Sequence, residues 1–168
     1  MNALKVPLQD HLEFDFSQYG RIVTAGERKP DGEGKDFSFW GDLEELQCGT
    51  VSIGIVKSVP QKMLMCPSLE KHDGTTETLI PVDGDIILVL ALSGNDKPDC
   101  VDRESVRAVR VRQGDAVTLL PSVWHYAPMV RKHEVRTYVI FKKDTLMNDL
   151  SKEEYEREEQ IRIEIADD

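Results

Sequence analysis

The 168-residue sequence predicts an all-β fold, either a sandwich or a barrel, from three observations. Short runs rich in β-branched residues recur from about residue 20 to residue 142, turn residues separate them, and helix patterns are scarce. Many short strands at fairly even spacing favour these two architectures. The predicted strands are Thr50–Val56, Thr76–Ile80, Asp85–Leu92, Val106–Val111, Ala116–Leu120 and Val135–Phe141.

Two of these runs differ in how they should be buried. Residues 86–92 are all apolar, which is typical of a strand covered on both faces in the middle of the fold. Residues 106–111 alternate apolar side chains with arginine, which predicts one solvated face. Turn signals border these runs at Gly84, at residues 94–98 and at residues 113–115. Residues 29–35 form a polar stretch without periodicity, and we interpret it as a surface loop rather than a mobile flap.

The C-terminal segment carries one helix signal and one strand signal. Ser151 and Glu154 make a capping-box pattern, which predicts a helix from Ser151 to about Glu159. After it, isoleucines alternate with polar residues at 161, 163 and 165, which is strand period. We expect this strand at the edge of the chain's own sheet or against a partner subunit. No repeat or linker divides the chain, so we expect one domain over residues 1–168 with an acidic helix and strand tail.

Charge and hydropathy exclude two classes of partner. The net charge is −10, and residues 144–168 hold ten acidic side chains against three basic ones, so seven of these charges lie in the tail. Nucleic-acid binding depends on clustered lysine and arginine, which neither the tail nor the body offers. No apolar run approaches the ~20 residues of a membrane span, and the N-terminus lacks a leader pattern. We expect a cytoplasmic protein that binds neither nucleic acid nor membrane.

The three cysteines do not form a recognisable framework. Their number is odd and no two of them have C-x-x-C spacing, since they lie at Cys48, Cys66 and Cys100. This argues against a disulfide scaffold or a zinc knuckle and predicts reduced, buried thiols.

The first stretch with candidate functional residues contains Glu70, His72 and Glu77. Residues two apart on an extended strand face the same side, so Glu70 and His72 can point into one cavity. After a turn at Asp73 and Gly74, Glu77 opens the next strand and can face the same space. One imidazole and two carboxylates suit a divalent Ni, Mn, Fe or Zn ion. A single histidine near a turn is more often a hydrogen-bonded structural residue, so this spacing alone does not decide the matter.

A second stretch runs from Gly114 through Pro121 to His125, about 50 residues after the first. Together the two stretches read E-x-H-x4-E-x6-G and G-x6-P-x3-H. They resemble the paired motifs of the cupin superfamily, where the matching positions hold one metal inside the barrel. The resemblance implies a cupin-like double-stranded β-helix, or jelly-roll barrel, with a few short helices. Glu70 replaces the usual first histidine, so it is either a ligand or an acid or base. We interpret His11 and His133, outside both motifs, as structural or exposed.

A more specific resemblance extends from about residue 14 to residue 142. The chain is similar to ureidoglycolate lyases at Phe16–Gly20, Ser52–Ile53, Lys57 with Pro60, Leu69–His72, Leu79–Pro81, Asn95–Asp99 and Val123–His125. It departs from that family at four positions. Glu77 stands where the family usually has glutamine, Lys57 and Lys71 where it has arginine, and Tyr126 where it has a second histidine.

This resemblance implies cleavage of ureidoglycolate to glyoxylate and urea, as part of allantoin and purine degradation, with a divalent metal cofactor. Our hypothesis places the metal on His72 and His125, with either Glu70 or Glu77 completing the shell. The other carboxylate would be the catalytic base and then acid. The candidate substrate-binding residues are Lys57, Lys71, Trp124 and Tyr126, although Lys57 is equally well explained as an exposed strand residue.

The oligomeric state and two other functions stay open at this point. A homodimer is expected by analogy with other barrels of this type, through the C-terminal isoleucines if they form an interface. A different metal-dependent cupin isomerase or lyase, acting on another small hydroxy or keto acid, would keep the motifs and change Lys57, Glu77 and Tyr126. A barrel that only binds a small ligand or a partner is the non-enzymatic alternative, because fold does not fix function.

Overall fold

The computed structural model describes residues 3–46 and 49–165, and strands dominate this part of the chain. None of its helices has the length and apolar character of a membrane span. The helical elements are a 3₁₀ turn at Arg103–Ser105 and α1 at Thr145–Asn148. The strands are β1 Leu4–Asp10, β2 Gly20–Val23, β3 Gly32–Glu33, β4 Ser38–Phe39, β5 Val51–Ser58, β6 Met65–Cys66, β7 Ser68–Lys71, β8 Glu77–Pro81, β9 Ile86–Ala91, β10 Ser93–Gly94, β11 Lys97–Val101, β12 Arg107–Val111, β13 Ala116–Leu119, β14 Trp124–His125, β15 Val135–Lys142, β16 Ser151–Glu154 and β17 Ile161–Glu164.

Two curled sheets form a cupin-like barrel, which confirms the predicted fold class. The larger sheet has the order β16-β7-β14-β9-β12-β1-β17-β6, and the smaller one has the order β2-β13-β8-β15-β5. The chain crosses between the sheets, so β7 and β8 lie in opposite walls although only a short turn joins them. The strand pairs β3-β4 and β10-β11 are separate small ribbons.

The core has two parts, one on each face of the larger sheet. Between the sheets, Leu88 and Leu90 of β9 pack with Val117 and Val139 of the smaller sheet. On the outer face of the larger sheet, Val89 of the same strand packs in a second cluster. All six residues of β9 are buried, which confirms that this strand lies in the middle of the fold. The solvated face predicted for the arginine-containing run is also confirmed, because β12 exposes Arg110 between buried valines.

The predicted helix from Ser151 to Glu159 is wrong. Residues Ser151–Glu154 form β16, which pairs antiparallel with β7 along its full length. The capping-box pattern is a local preference, and backbone hydrogen bonds to a neighbouring strand override it here. The short helix α1 lies just before this strand instead.

The strand predicted at the C-terminal isoleucines is confirmed as β17, but its predicted edge position is wrong. β17 lies between β1, to which it is parallel, and β6, to which it is antiparallel. Ile161 and Ile163 are buried in the outer-face core, and Ile165 packs against it. The first two side chains therefore cover the protein's own sheet and do not face a partner subunit.

The cysteines and the two remaining histidines follow the predictions in part. Cys66 is buried, and burial raises the pKa of its thiol to about 12. Cys100 is exposed on β11, so its predicted burial is wrong. Cys48 lies outside the described residues. His11 is buried with its Nε2 atom 2.8 Å from an Asp115 oxygen, and the exposed His133 lies near the Asp83 carbonyl, so both have structural surroundings.

Residues 29–35 are mostly exposed, and residues Gly32–Glu33 within them form β3. β3 pairs with β4, so the predicted irregular loop is a small surface hairpin.

Candidate active site

Three of the predicted ligands come together inside the barrel. His125 of β14 pairs directly with Glu70 of β7, so the two side chains lie on the same face of the larger sheet. His72 follows the end of β7, two residues beyond Glu70. The candidate ligand atoms of Glu70, His72 and His125 all lie within 4.8 Å of one another.

Glu77 reaches this group from the opposite sheet, since it is the first residue of β8. One of its carboxylate oxygens, Oε2, is 3.4 Å from Nε2 of His72 and 3.3 Å from Nε2 of His125. Glu77 and both histidines are buried, whereas Glu70 is half-buried. We call Glu70, His72, Glu77 and His125 the inner cluster.

Backbone carbonyl groups orient both imidazole rings. Nδ1 of His72 lies 2.5 Å from the Asp149 carbonyl oxygen, and Nδ1 of His125 lies 3.0 Å from the Val123 carbonyl oxygen. With Nδ1 donating, each Nε2 is directed at Glu77 and is available as a metal ligand. Within the described part of the chain, the buried Nε2 of His125 has no hydrogen-bond partner. A divalent cation would satisfy this atom, so the donor set fits a metal.

Charge coupling between Glu77 and the histidines determines their ionisation. Burial by itself raises the pKa of Glu77, but the adjacent imidazoles, His125 above all, bring it well below its usual range. Burial by itself lowers the pKa of His72, but hydrogen bonding and charge attraction from Glu77 raise it overall. Glu77 is therefore a carboxylate near neutral pH, as a metal ligand must be.

Apolar groups surround the inner cluster. Leu90 of β9 pairs directly with His125 and belongs to the core between the sheets. The ring of Phe141 lies 6.5 Å from the His72 ring, centroid to centroid. Such walls strengthen electrostatic interactions inside the site because they exclude water.

Comparisons with known proteins now decide the family. The family model described as ureidoglycolate lyase matches residues 5–164 of the chain. The chain belongs to the ureidoglycolate lyase family. It is therefore a lyase, in agreement with the predicted enzyme class.

Curated relatives carry the same family name. The ureidoglycolate lyases of Salmonella typhimurium strain LT2 and Salmonella newport strain SL254 are each 27% identical to this chain over 116 residues. In each case the match covers 66% of this chain and 71% of the relative.

Solved structures were also matched. The oxalate decarboxylase of Lactobacillus farciminis in its formate complex has a TM-score of 0.44 and 19% identity, over 62% of this chain and 26% of that one. Oxalate oxidase in complex with the substrate analogue glycolate has a TM-score of 0.41 and 22% identity, over 55% of this chain and 41% of that one. This lyase thus spans less than half of either chain.

One residue that positions the site in this lyase was not predicted from the sequence. Besides accepting a hydrogen bond from His72, Asp149 accepts backbone N–H groups of Asp73 and Gly74 on its two carboxylate oxygens, each at 2.8 Å. It thereby fixes the turn that joins the two barrel walls. Asp149 is 77 residues from His72 in sequence and belongs to neither motif, so no local pattern indicated it.

Two of the predicted substrate-binding residues lie on the other face of the larger sheet. The Lys71 ammonium group is 5.4 Å from the centroid of the Trp124 ring, 3.2 Å from an Asp73 oxygen and 3.2 Å from the Pro98 carbonyl oxygen. Trp124 is part of the outer-face core. Because neighbours along a strand point to opposite faces, Lys71 and Trp124 point away from Glu70 and His125. The structure does not bring them to the inner cluster.

The other two predicted substrate-binding residues differ in position. Lys57 is exposed on β5, and its ammonium group contacts a Glu134 oxygen at 3.0 Å, as the alternative interpretation of an exposed strand lysine predicts. Tyr126 lines a cavity of about 400 Å³ that Glu70 also lines. Tyr126 also packs against the outer-face core, so its link to the inner cluster is the cavity that it shares with Glu70.

Proposed function

We propose that this lyase cleaves ureidoglycolate to glyoxylate and urea, a step that belongs to allantoin and purine degradation. Family membership supports the reaction class. The observation that carries the proposal is the convergence of Glu77 on the Nε2 atoms of His72 and His125, with Glu70 on the same barrel face.

In this proposal His72, His125 and Glu77 hold a divalent metal, with Ni, Mn, Fe and Zn all compatible with the mixed donor set. A bound metal would supply Lewis acidity that lowers the pKa of the substrate hydroxyl group. The carbonyl groups of Asp149 and Val123 keep both imidazole rings in the required orientation. The surrounding apolar side chains keep bulk water from competing for these ligands.

Glu70 is the proposed catalytic acid and base, because it lines the cavity from which a substrate would approach. Its carboxylate takes the proton of the substrate hydroxyl group. The C–O bond becomes the carbonyl group of glyoxylate as the C–N bond breaks. Glu70 then returns the proton to the departing nitrogen, and urea leaves. A well-placed acid and base of this kind contributes about 10²–10⁴-fold in rate.

The experiment that tests the reaction is glyoxylate release from racemic ureidoglycolate by the purified protein. It is run on protein as isolated, after chelation, and after addition of Ni²⁺ or Mn²⁺. We expect release that depends on metal and stops at half of the substrate, since one enantiomer fits. If no metal condition gives glyoxylate, the proposed substrate is wrong.

Two variants separate the proposed roles of the carboxylates. Glu70→Gln should lower kcat and leave the metal content unchanged, because its carboxylate acts on the substrate. Glu77→Gln should lower the metal content measured by atomic emission, because a neutral amide binds a divalent cation more weakly. If Glu70→Gln loses metal and Glu77→Gln keeps its metal but has a lower kcat, then Glu70 is the metal ligand and Glu77 is the acid and base.

A second candidate function is the same chemistry on another small hydroxy or keto acid. It is favoured by Glu77, which contacts both histidines at a position where the resembling family usually has glutamine. Lys57 no longer supports it, since its ammonium group contacts Glu134 on the exposed face of β5. A panel of small hydroxy and keto acids, assayed beside ureidoglycolate, tests this candidate.

We also propose a homodimer that forms through the outer face of the smaller sheet. Large apolar side chains are exposed there on β5 and β15, including Ile53 and Ile55, and Ile55 pairs with the partly exposed Tyr138. Exposed patches of this kind commonly mark protein interfaces. Ile53→Lys should convert dimers to monomers in sedimentation experiments, whereas the exposed control Leu12→Lys should not. A wild-type protein that sediments as a monomer would contradict the proposal.

A further inference from the structure

A cationic side chain lines the cavity beside Glu70, and it belongs to neither sequence motif. Glu70, Tyr126, Lys152, Glu154 and Tyr155 line this space of about 400 Å³. Small-molecule sites commonly have volumes of about 300–1,000 Å³, so a small hydroxy acid fits. Among the described residues that line it, Lys152 is the one cationic side chain.

Strand register places Lys152 beside the inner cluster. β16 pairs with β7 so that Lys152 lies directly opposite Glu70, and on the other side of β7 Glu70 lies directly opposite His125. Directly paired residues share a sheet face, with Cβ atoms about 4.5–5.5 Å apart. Lys152, Glu70 and His125 therefore form a row across three adjacent strands, and Lys152 and Glu70 line the same cavity.

The present partner of Lys152 is one that a substrate can replace. Its ammonium group contacts an oxygen of Glu154 at 2.6 Å, and both side chains are substantially exposed. Exposed ion pairs contribute little to stability, so a second carboxylate can compete for the ammonium group at small cost.

The charge at the site calls for such a cation. Two carboxylates, Glu70 and Glu154, line the cavity, so an anionic substrate meets their repulsion even with a divalent metal bound at the inner cluster. The two lysines expected to offset this repulsion lie elsewhere, Lys57 on the exposed face of β5 and Lys71 on the outer face of the larger sheet.

We infer that Lys152 binds the carboxylate group of the substrate in place of Glu154. Lys152 is therefore a specificity residue for small carboxylic acids. This inference rests on the proposed function, since it assigns the substrate subsite of the same cavity. Lysine holds a carboxylate as a point charge without the paired geometry of arginine, so the subsite recognises charge more than shape.

The test begins with steady-state kinetics on ureidoglycolate. Lys152→Met should raise KM about tenfold or more, the loss expected for a hydrogen bond between charged groups, with a much smaller change in kcat. Lys152→Arg should restore most of the affinity because it keeps the charge. The control Lys132→Met removes an exposed lysine that does not line this cavity and should leave KM unchanged. Equal KM values for Lys152→Met and wild type overturn the inference.

A binding measurement separates this inference from the proposed reaction. Glycolate, which has the hydroxyl and carboxylate groups of the substrate, and its neutral amide are titrated calorimetrically into metal-loaded and chelated protein. We expect Lys152→Met to weaken glycolate binding about tenfold and to leave amide binding unchanged. If the wild type releases no glyoxylate but glycolate binding still depends on Lys152, only the proposed reaction fails. If the wild type does not bind glycolate, or if Lys152→Met binds it equally well, the Lys152 assignment fails.

Discussion

The two faces of the strand pair β7 and β14 show how adjacent residues acquire different functions. On the inner face, Glu70 and His125 lie opposite each other and contribute to the inner cluster. On the outer face, Lys71 packs over Trp124 in a second core. On the inner face the buried Nε2 atom of His125 has no hydrogen-bond partner among the described residues, whereas on the outer face the Trp124 indole donates to Ser93. We therefore expect inner-face substitutions to affect chemistry and outer-face substitutions to affect stability.

The largest effect is expected for His125→Ala on the inner face. Loss of this ligand should abolish metal retention and reduce kcat/KM by at least about 10³-fold, because Lewis acidity contributes several kcal/mol to such reactions. The melting temperature should also fall, because the variant loses the hydrogen bond to the Val123 carbonyl and leaves the buried Glu77 carboxylate without one of its two imidazole partners. Metal analysis, glyoxylate release and thermal unfolding measure the three quantities. A variant that keeps its metal and activity would contradict the assignment of the inner cluster.

The second prediction concerns Trp124→Ala on the outer face. Trp124 is fully buried and donates its indole N–H to the Ser93 hydroxyl group at 3.0 Å. Removing it should lower the free energy of unfolding by about 3–5 kcal/mol, the usual cost of deleting a large buried aromatic side chain. Denaturant titration measures this change.

The protein that remains folded should keep its metal and most of its activity, because Trp124 does not face the inner cluster. Trp124→Phe, which keeps most of the packing, is the matched control and should be less destabilised. A loss of activity without a loss of stability would show that the two faces are not separable.

The third prediction concerns Asp149, which supports the inner face from outside both motifs. Asp149→Ala removes the two acceptors for the backbone of the turn at 73–74 and leaves the carbonyl group that accepts from His72. We expect metal affinity to fall about 10–100-fold, the range typical of groups that orient metal ligands. Asp149→Asn should recover part of this loss, and the nearby control Asp144→Ala should show none. Equal metal affinity in all variants would show that the Asp149 side chain does not help to orient the metal ligands.

The sequence was sufficient for the features that depend on strand period and motif spacing. The alternation of strand residues and the two motifs predicted the all-β barrel, and they also predicted that Glu70, His72, Glu77 and His125 would converge. Pairing between distant segments was not predictable in the same way. Asp149 and β16 reach β7 only through the folded topology, and the local capping pattern at Ser151 even indicated a helix.

The assignment of substrate-binding residues failed for a related reason. Lys71 and Trp124 were selected because they are adjacent to motif residues in the sequence. On a strand, adjacency places a side chain on the opposite face, so proximity in sequence argues against a shared site. Lys152 is distant in sequence from both motifs, yet strand pairing places it directly opposite Glu70.

The smallest effect is expected for Lys71→Met, which tests the outer face without removing its packing. The methionine side chain keeps most of the contact with Trp124 and loses the cation–π interaction and the contacts with Asp73 and the Pro98 carbonyl group. These interactions contribute about 0.5–2 kcal/mol in comparable settings, and loss of the desolvated charge offsets part of them. The free energy of unfolding should therefore change by no more than about 1 kcal/mol. KM for ureidoglycolate should match the wild type, whereas Lys152→Met raises it. If Lys71→Met raised KM instead, the substrate carboxylate would be bound from the outer face, and the separation between the two faces would no longer hold.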